Sequence, residues 1–256
     1  MSDNRHNLKP AELEALEREP TFSTDLICTY KDHMGDDDAI LEAMLVSTQD
    51  SEMAEDLEKY KRSRQPRLDF MMAHKHGSPF EQASIKLYVK APIMVFREWH
   101  RHRIGFSYNE ASARYKVMPP EFYIAPPERP LIQEGKHSNP TWVPADHATY
   151  VAYLADQQAV AQFAWDRYVH QVRDLGIAKE SARAVLGVGL YSDMITTLNP
   201  RSCMAFLSLR QHHPDAAFVS HPQWEINQCA NHMEQIFKEL FPLTHMLFVQ
   251  NGRVAP

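Results

Sequence analysis

The chain has 256 residues, 44% of them apolar and 23% charged, with a formal net charge of −6; this is the profile of a globular protein able to bury a sizeable core. The acidic total argues against general nucleic-acid binding through a broad positive surface, and no apolar run reaches the ~18 residues of a membrane span. The polar start MSDNRHNLKP carries no apolar signal region, and Cys28, Cys203 and Cys229 stand apart with no C-x-x-C pair. The expectation is a cytoplasmic protein with reduced, buried thiols, bound to neither membrane nor nucleic acid.

Residues 1–20 read as a polar lead-in and 21–256 as one domain of mixed α/β type. A partly apolar stretch from Phe22 to Tyr30 suits a strand. HMGDDDAILEAMLVS suits a helix, with Asp36 to Asp38 as capping carboxylates and Ile40, Leu41 and Met44 at helical spacing. SIKLYVKAP alternates, with Ile85, Leu87 and Val89 on one face and Lys86, Tyr88 and Lys90 on the other, which predicts a half-buried strand. Pro92 then opens a helix, PIMVFREWHRHR, ended by Gly105, so Arg101, His102 and Arg103 fall at its C-terminal end. Residues 117–145 are rich in proline and predict little helix. From Ala145 to Asp174, Val151, Leu154, Ala161, Trp165, Tyr168 and Val172 step mostly by threes and fours, predicting a long amphipathic helix closed by Gly176. Shorter helices are predicted at 179–187, 200–210 and 222–240.

Several chemistries lack their sequence requirements. His74, His76, His100 and His102 form no ligand set of recognised spacing, and H-E-x-x-H is missing, so no metal site is expected. G-x-S-x-G, G-x-G-x-x-G and the P-loop are also missing. With eight glycines in the chain, a glycine-rich phosphate cradle is unfavoured, and phosphates would fall to arginines and helix ends.

RHRIGFSYNEASARY, residues 101–115, gathers Arg101, His102, Arg103 and Arg114. It suits a solvated basic face, a nucleic-acid patch or a pocket for an anionic small molecule. If 107–115 is helical, Ser107, Glu110, Ala111 and Arg114 share a face, with Ser112 and Tyr115 beside it. Arg114 and Ser112 could then hold one anion between guanidinium and hydroxyl. An exposed helix with Glu110 and Arg114 as an i,i+4 ion pair satisfies the same pattern, and residue types alone leave both readings open.

The same residues resemble the signature of the flavin-dependent thymidylate synthases, R-H-R followed after seven residues by a serine and then x-R-Y. HGSPFEQASIKLYVKAPIMVFRE resembles the family's H-x-[ST]-P-F-E-H segment, strand and following helix, with Gln82 in place of the last histidine. ARAVL and LNPRSCMAFLSLR resemble two further family segments, in the same order, and the likeness runs from about Met34 to about Leu247. It implies a mixed α/β domain with a central antiparallel-rich sheet and long helices, assembled as a homotetramer whose copies share active sites. By position it assigns flavin contacts to Ser47, His76, Ser78, Arg101, His102, Arg103, Glu110, Asn199 and Arg201. Uridylate contacts fall to Glu98, Arg101, Glu110, Ser112, Arg114, Arg183 and Arg210, with Arg210 as the catalytic group that favours the ionised pyrimidine. FAD is the implied cofactor, with methylenetetrahydrofolate as carbon donor and NADPH as reductant.

The implied reaction explains the arginines. C5 of uracil is a weak nucleophile until negative charge builds on the ring, and cations aimed at its oxygens and N3 can stabilise that charge in a dry pocket. Phosphate and ribose contacts hold C5 against the carbon donor. With no base evident beside it, Ser112 reads as a ligand-positioning hydroxyl. The chain departs from the pattern in places: eight residues separate Arg103 from Ser112, Leu45 stands where arginine is usual, Pro200 follows Asn199, and Gly187 replaces a proline. Three functions follow for testing: methylation of dUMP to dTMP, methylation of UMP by a relative specialised for nucleoside-antibiotic biosynthesis, and a non-catalytic flavin or nucleotide binder.

Overall fold

The computed structural model describes residues 8–46, 60, 62–136 and 139–256. They fall into two compact units, each assembled from separate stretches of chain. The first takes Met1–Asp25, Ala91–Phe96 and Ala111–Ser192, and the second Leu26–Lys90, Arg97–Glu110 and Asp193–Pro256.

In chain order the helices are α1 (Pro10–Leu16), α2 (Asp37–Val46), α3 (Arg64–Ala73), α4 (Ile93–Trp99), α5 (His147–Val169), α6 (Lys179–Ala182), α7 (Pro200–Arg210), α8 (Trp224–Leu240) and α9 (Pro242–Gln250). The strands are β1 (Thr21–Ser23), β2 (Ile27–Met34), β3 (Ser84–Pro92), β4 (Phe106–Glu110), β5 (Glu121–Tyr123), β6 (Ile132–Lys136), β7 (Asn139–Val143) and β8 (Tyr191–Leu198). Four of these form one sheet in the order β2-β3-β8-β4. β2 and β3 pair antiparallel from Ile27 opposite Lys90 to Met34 opposite Ser84, with a bulge between Tyr30 and Asp32. β4 runs antiparallel to β8, from Phe106 opposite Leu198 to Glu110 opposite Met194. The mixed α/β class with an antiparallel sheet and long helices is therefore as expected from the sequence.

In the second unit the predicted alternation of β3 holds: Ile85, Leu87 and Val89 are buried while Lys86 is exposed. α8 packs on β2, on α7 and on α9. Its buried residues Ile226, Cys229, Ala230, Met233 and Phe237 recur by threes and fours, the stripe that burial on one side demands. The acidic cluster caps two helices. The Asp36 carboxylate accepts from the Asp38 and Ala39 amides at 2.9 and 3.0 Å, starting α2. Asp37 instead accepts from the Leu243 and Thr244 amides at 2.8 and 2.9 Å, placing a carboxylate on the positive end of α9.

The first unit holds the long helix α5, whose N-cap Asp146 accepts from the Thr149 amide at 2.8 Å. Ala161, Trp165 and Tyr168 of α5, with Val172 in the π-type turn that follows it, join Leu16, Met118, Phe122 and Leu190 in a core. Val151, expected on that stripe, is 49% exposed, as are Val160 (67%) and Phe163 (66%). β1 pairs parallel with β5, and β6 and β7 form a hairpin inside the proline-rich stretch. All three cysteines are buried, and burial pushes their thiols up, Cys229 to about 12, so none is a ready nucleophile.

Two local expectations are corrected. Residues 106–110 form strand β4 rather than part of a helix over 107–115, and Ser112 begins a turn whose carbonyl accepts from the Tyr115 amide at 3.1 Å. FSYNE alternates in period two, and pairing with β8 decides between the two periods. α4 also ends at Trp99, so the basic triplet lies in the turn beyond it rather than on the helix.

Candidate active site

The second unit gathers most of the sequence-predicted residues. After α4, the His102 amide donates to the Trp99 carbonyl at 3.0 Å, and the chain turns through Gly105 at φ 68°. Only glycine suits this place: the backbone is left-handed, and a Cβ would strike the Ser202 hydroxyl and the Asn199 amide. The Ser202 hydroxyl donates to the Ile104 carbonyl at 2.8 Å and the Asn199 N–H to the Gly105 carbonyl at 3.3 Å. The basic loop is thereby stitched to the first turn of α7. Asn199 caps that helix, its side-chain oxygen accepting from the Ser202 amide at 2.8 Å. Pro200 occupies the first helical position, where its missing N–H costs nothing. A cavity of 510 Å³ opens here, lined by Arg101, His102, Arg103, Ile104, Phe106, Ser202 and Ala205.

Arg210 ends the same helix. Its Nη1 donates to the Glu98 carboxylate at 2.5 Å, its Nη2 to the Glu98 carbonyl at 3.3 Å, and its Nε to His102 Nε2 at 3.0 Å. The Arg210 side chain is 18% exposed against 44% for that of Glu98. Since His102 Nε2 accepts, the neutral ring carries its proton on Nδ1. Burial, with the Arg210 charge adding to it, lowers the His102 pKa from 6.5 to about 4. The imidazole rests on Phe206 at 4.7 Å and Phe106 at 5.9 Å. Tyr108 braces the loop, donating to the His102 carbonyl at 2.5 Å with the Trp99 carbonyl at 3.1 Å, and its burial raises the phenol's pKa.

Around the other end of α7, Arg201 pairs with Glu81 at 2.5 Å and donates to the Pro256 carbonyl at 2.8 Å. A side chain at Gly77 would collide with this guanidinium. His76 and Ser78 line a second cavity of 590 Å³ with Met44, Ser63, Pro66, Arg67, Phe70, Met71 and Pro79. Glu110, on β4, has its carboxylate 3.9 Å from His100. Ser47, assigned by resemblance to the flavin, lies outside the described residues.

The first unit holds the other set. The Ser112 hydroxyl accepts from the Arg114 amide at 3.3 Å. The Arg114 guanidinium pairs with Glu180 at 2.7 Å, both side chains being about half exposed at 45% and 54%. The alternative of an i,i+4 helix pair with Glu110 lapses, because Glu110 ends strand β4. Arg183 donates to the Glu180 carbonyl at 3.2 Å, so residue 180 anchors both arginines, one through its side chain and one through its backbone. Both keep donors free for an external anion, because Arg carries five N–H groups.

Sequence reasoning missed Tyr108, Phe206 and Gly105 as supports of the basic loop. A glycine after a basic triplet is a visible signal for a left-handed turn, but the aromatic packing emerges only once α4, β4 and α7 meet.

A part-buried arginine, held by a carboxylate and a neutral histidine, thus ends the helix whose first turns border a cavity lined by Arg101, His102, Arg103 and Phe106. Residues 30–243 match the Thy1 family, described as thymidylate synthase complementing protein. The flavin-dependent thymidylate synthase of Streptomyces avermitilis is 39% identical over 237 residues, 93% of this chain and 96% of that protein. The enzyme of the same name from Streptomyces coelicolor is 42% identical over 225 residues, 86% of this chain and 89% of that one. Among solved structures, the UMP/dUMP methylase PolB of Streptomyces cacaoi bound with 5-Br UMP superposes with a TM-score of 0.84 at 37% identity, covering 93% of this chain and all of PolB (100%). The chain belongs to the flavin-dependent thymidylate synthase family of enzymes.

Proposed function

We propose that this enzyme methylates C5 of a uridine monophosphate, converting dUMP to dTMP with FAD as cofactor, methylenetetrahydrofolate as carbon donor and NADPH as reductant. The observation that carries this reading is Arg210, fixed by Glu98 of α4 and by His102, which lies in the loop that lines the 510 Å³ cavity. Both cavities are of a size that holds a small-molecule cofactor, typically about 300–1,000 Å³. The donor chemistry suits a flavin nucleotide: arginines for phosphate, Phe106 and Ile104 for an aromatic ring system, and two close-approach glycines, Gly105 and Gly77. His76, Ser78, Arg101, His102, Arg103, Glu110, Asn199 and Arg201 are the residues that would hold it, and Ser47 by resemblance alone. When bound, reduced flavin supplies the hydride that completes the methyl group.

This chain's own groups do the rest. Arg210 stabilises negative charge developing on the uracil ring, and its fixed donors need no rearrangement as that charge appears. Neutral His102 holds the guanidinium by accepting a hydrogen bond without competing for the anion. Glu98 orients Arg210 from the other side, and Arg101 and Glu110 border the substrate. Ser112, Arg114 and Arg183 bind the uridylate phosphate and sugar. We infer a homotetramer with active sites shared between copies, supported by the exposed apolar residues Val151, Val160 and Phe163.

UMP is the second reading. PolB superposes on this chain both with 5-Br UMP bound and with 5-Br dUMP bound, the latter at a TM-score of 0.83. Tritium release from 5-tritiated dUMP and UMP, compared with FAD, NADPH and methylenetetrahydrofolate present, separates the two. Release from dUMP alone supports thymidylate synthesis, release from UMP supports the specialised methylase, and release from neither leaves a binding protein. Among the described residues no helix is long and apolar enough to cross a membrane.

A further inference from the structure

Directly behind Arg210 lies a polar network that the reaction as proposed does not use. Arg253, 4% exposed, donates to the Gln211 side-chain oxygen and to Glu234 Oε1, the latter at 2.7 Å. The Gln211 amide nitrogen donates to Glu234 Oε2 at 2.5 Å and to Asn231 at 2.8 Å. His245 Nε2 meets Glu234 Oε1 at 2.9 Å, and the Ser208 hydroxyl donates to the Arg253 carbonyl at 2.6 Å. These partners hold the Glu234 carboxyl down to about 2 despite its burial.

Three features set this network apart from an ordinary buried ion pair. Arg253 has a left-handed backbone, φ 58°, directly after Gly252 at φ 74°, a place where glycine or asparagine is cheaper and an arginine needs a reason. A buried charged network is also a poor way to add stability, since apolar residues of similar volume do as well or better. Finally, the network grips α7 at Ser208 and Gln211, on either side of Arg210. Gln211 is the residue at which the chain leaves the helix, and each hydrogen-bonding group of its side-chain amide is engaged.

We propose that Gln211 and Arg253 are positioning residues for the methylation: they fix the last turn of α7 and so the direction of the Arg210 guanidinium. An active-site group displaced by about an ångström loses much of its effect, and supporting hydrogen bonds hold such groups in place. The inference rests on the proposed role of Arg210. If the parent protein releases no tritium from dUMP or UMP, that reading fails; an active parent lets the positioning role fail alone.

The test is Gln211→Leu, which removes the side-chain link at the end of α7 and leaves the Ser208–Arg253 contact and the Glu234–Arg253 and Glu234–His245 pairs in place. Its kcat for tritium release should fall about tenfold, with KM for dUMP, bound flavin and Tm staying near the parent values. Arg253→Met should match it, and Arg253→Lys, which keeps a cation near Glu234, should recover part of the rate. Unchanged kcat in Gln211→Leu, or a loss matched by equal loss of flavin and thermal stability, would overturn the proposal. Should Gln211→Leu fail to fold, the same split between kcat and KM is read in Arg253→Lys, and no selective fall in kcat there overturns it.

Discussion

The arginines of the two units are held in opposite ways. Arg210 is mostly buried, and a carboxylate, a backbone carbonyl and a neutral imidazole fix its direction. Arg114 is nearly half exposed and tied through one surface ion pair to Glu180, with its guanidinium 5.3 Å from the Tyr115 ring. A pre-organised cation suits charge that appears only in the transition state. An exposed, one-point cation suits capture of a ligand that arrives already charged. On the proposed function, the contrast gives rate to Arg210 and affinity to Arg114.

The sharpest break of that contrast is Arg210→Ala, expected to lower tritium release by roughly a thousandfold or more while flavin stays bound, as read from its visible absorbance. Glu98→Gln is expected next: it weakens the strongest hold on Arg210, and kcat should fall about tenfold with dUMP affinity less affected. Arg114→Ala should weaken dUMP binding about tenfold in titration calorimetry, with kcat recovered at saturation; Arg183→Ala should shift affinity in the same direction. Glu180→Gln removes only an exposed pair and should change affinity by less than about threefold.

His102 adds a pH dependence. Its pKa falls from 6.5 to about 4 on folding, so between those values the unfolded chain binds the extra proton and the folded chain resists it. Stability is therefore full above pH 6.5 and declines as pH drops towards 4. Denaturant midpoints across that range should show this slope, and His102→Asn should flatten it. Activity should hold through most of that range and fall only as pH approaches about 4, where the folded ring takes up its proton and can no longer accept from Arg210.

The sequence made this contrast only partly legible. β3 declared itself through strict alternation, and α7 was predicted over 200–210, although its Asn199 cap and Pro200 at the first position emerge only in the structure. The order of separated motifs placed the arginines in one family. It did not show β4, because five residues of FSYNE satisfy a strand or, read onward through ASARY, a helix. β8 and α9 were also passed over; YSDMITTL becomes a central strand only through its neighbours, and PLTHMLFVQ is a short helix started by a distant cap, Asp37. Leu45, unexpected beside the family pattern, is 2% exposed and serves the core. The partners of the arginines were the least legible: Glu180, Gln211 and Glu234 carry no motif, and tertiary approach alone gives them meaning.

Tritium release at saturating dUMP, measured side by side for Arg210→Ala and Arg114→Ala proteins carrying bound flavin, tests the division of labour most directly. The account predicts near-parental release from Arg114→Ala and almost none from Arg210→Ala at any dUMP concentration. Release from Arg210→Ala that recovers as dUMP is raised would show that this arginine only binds, and would contradict the account.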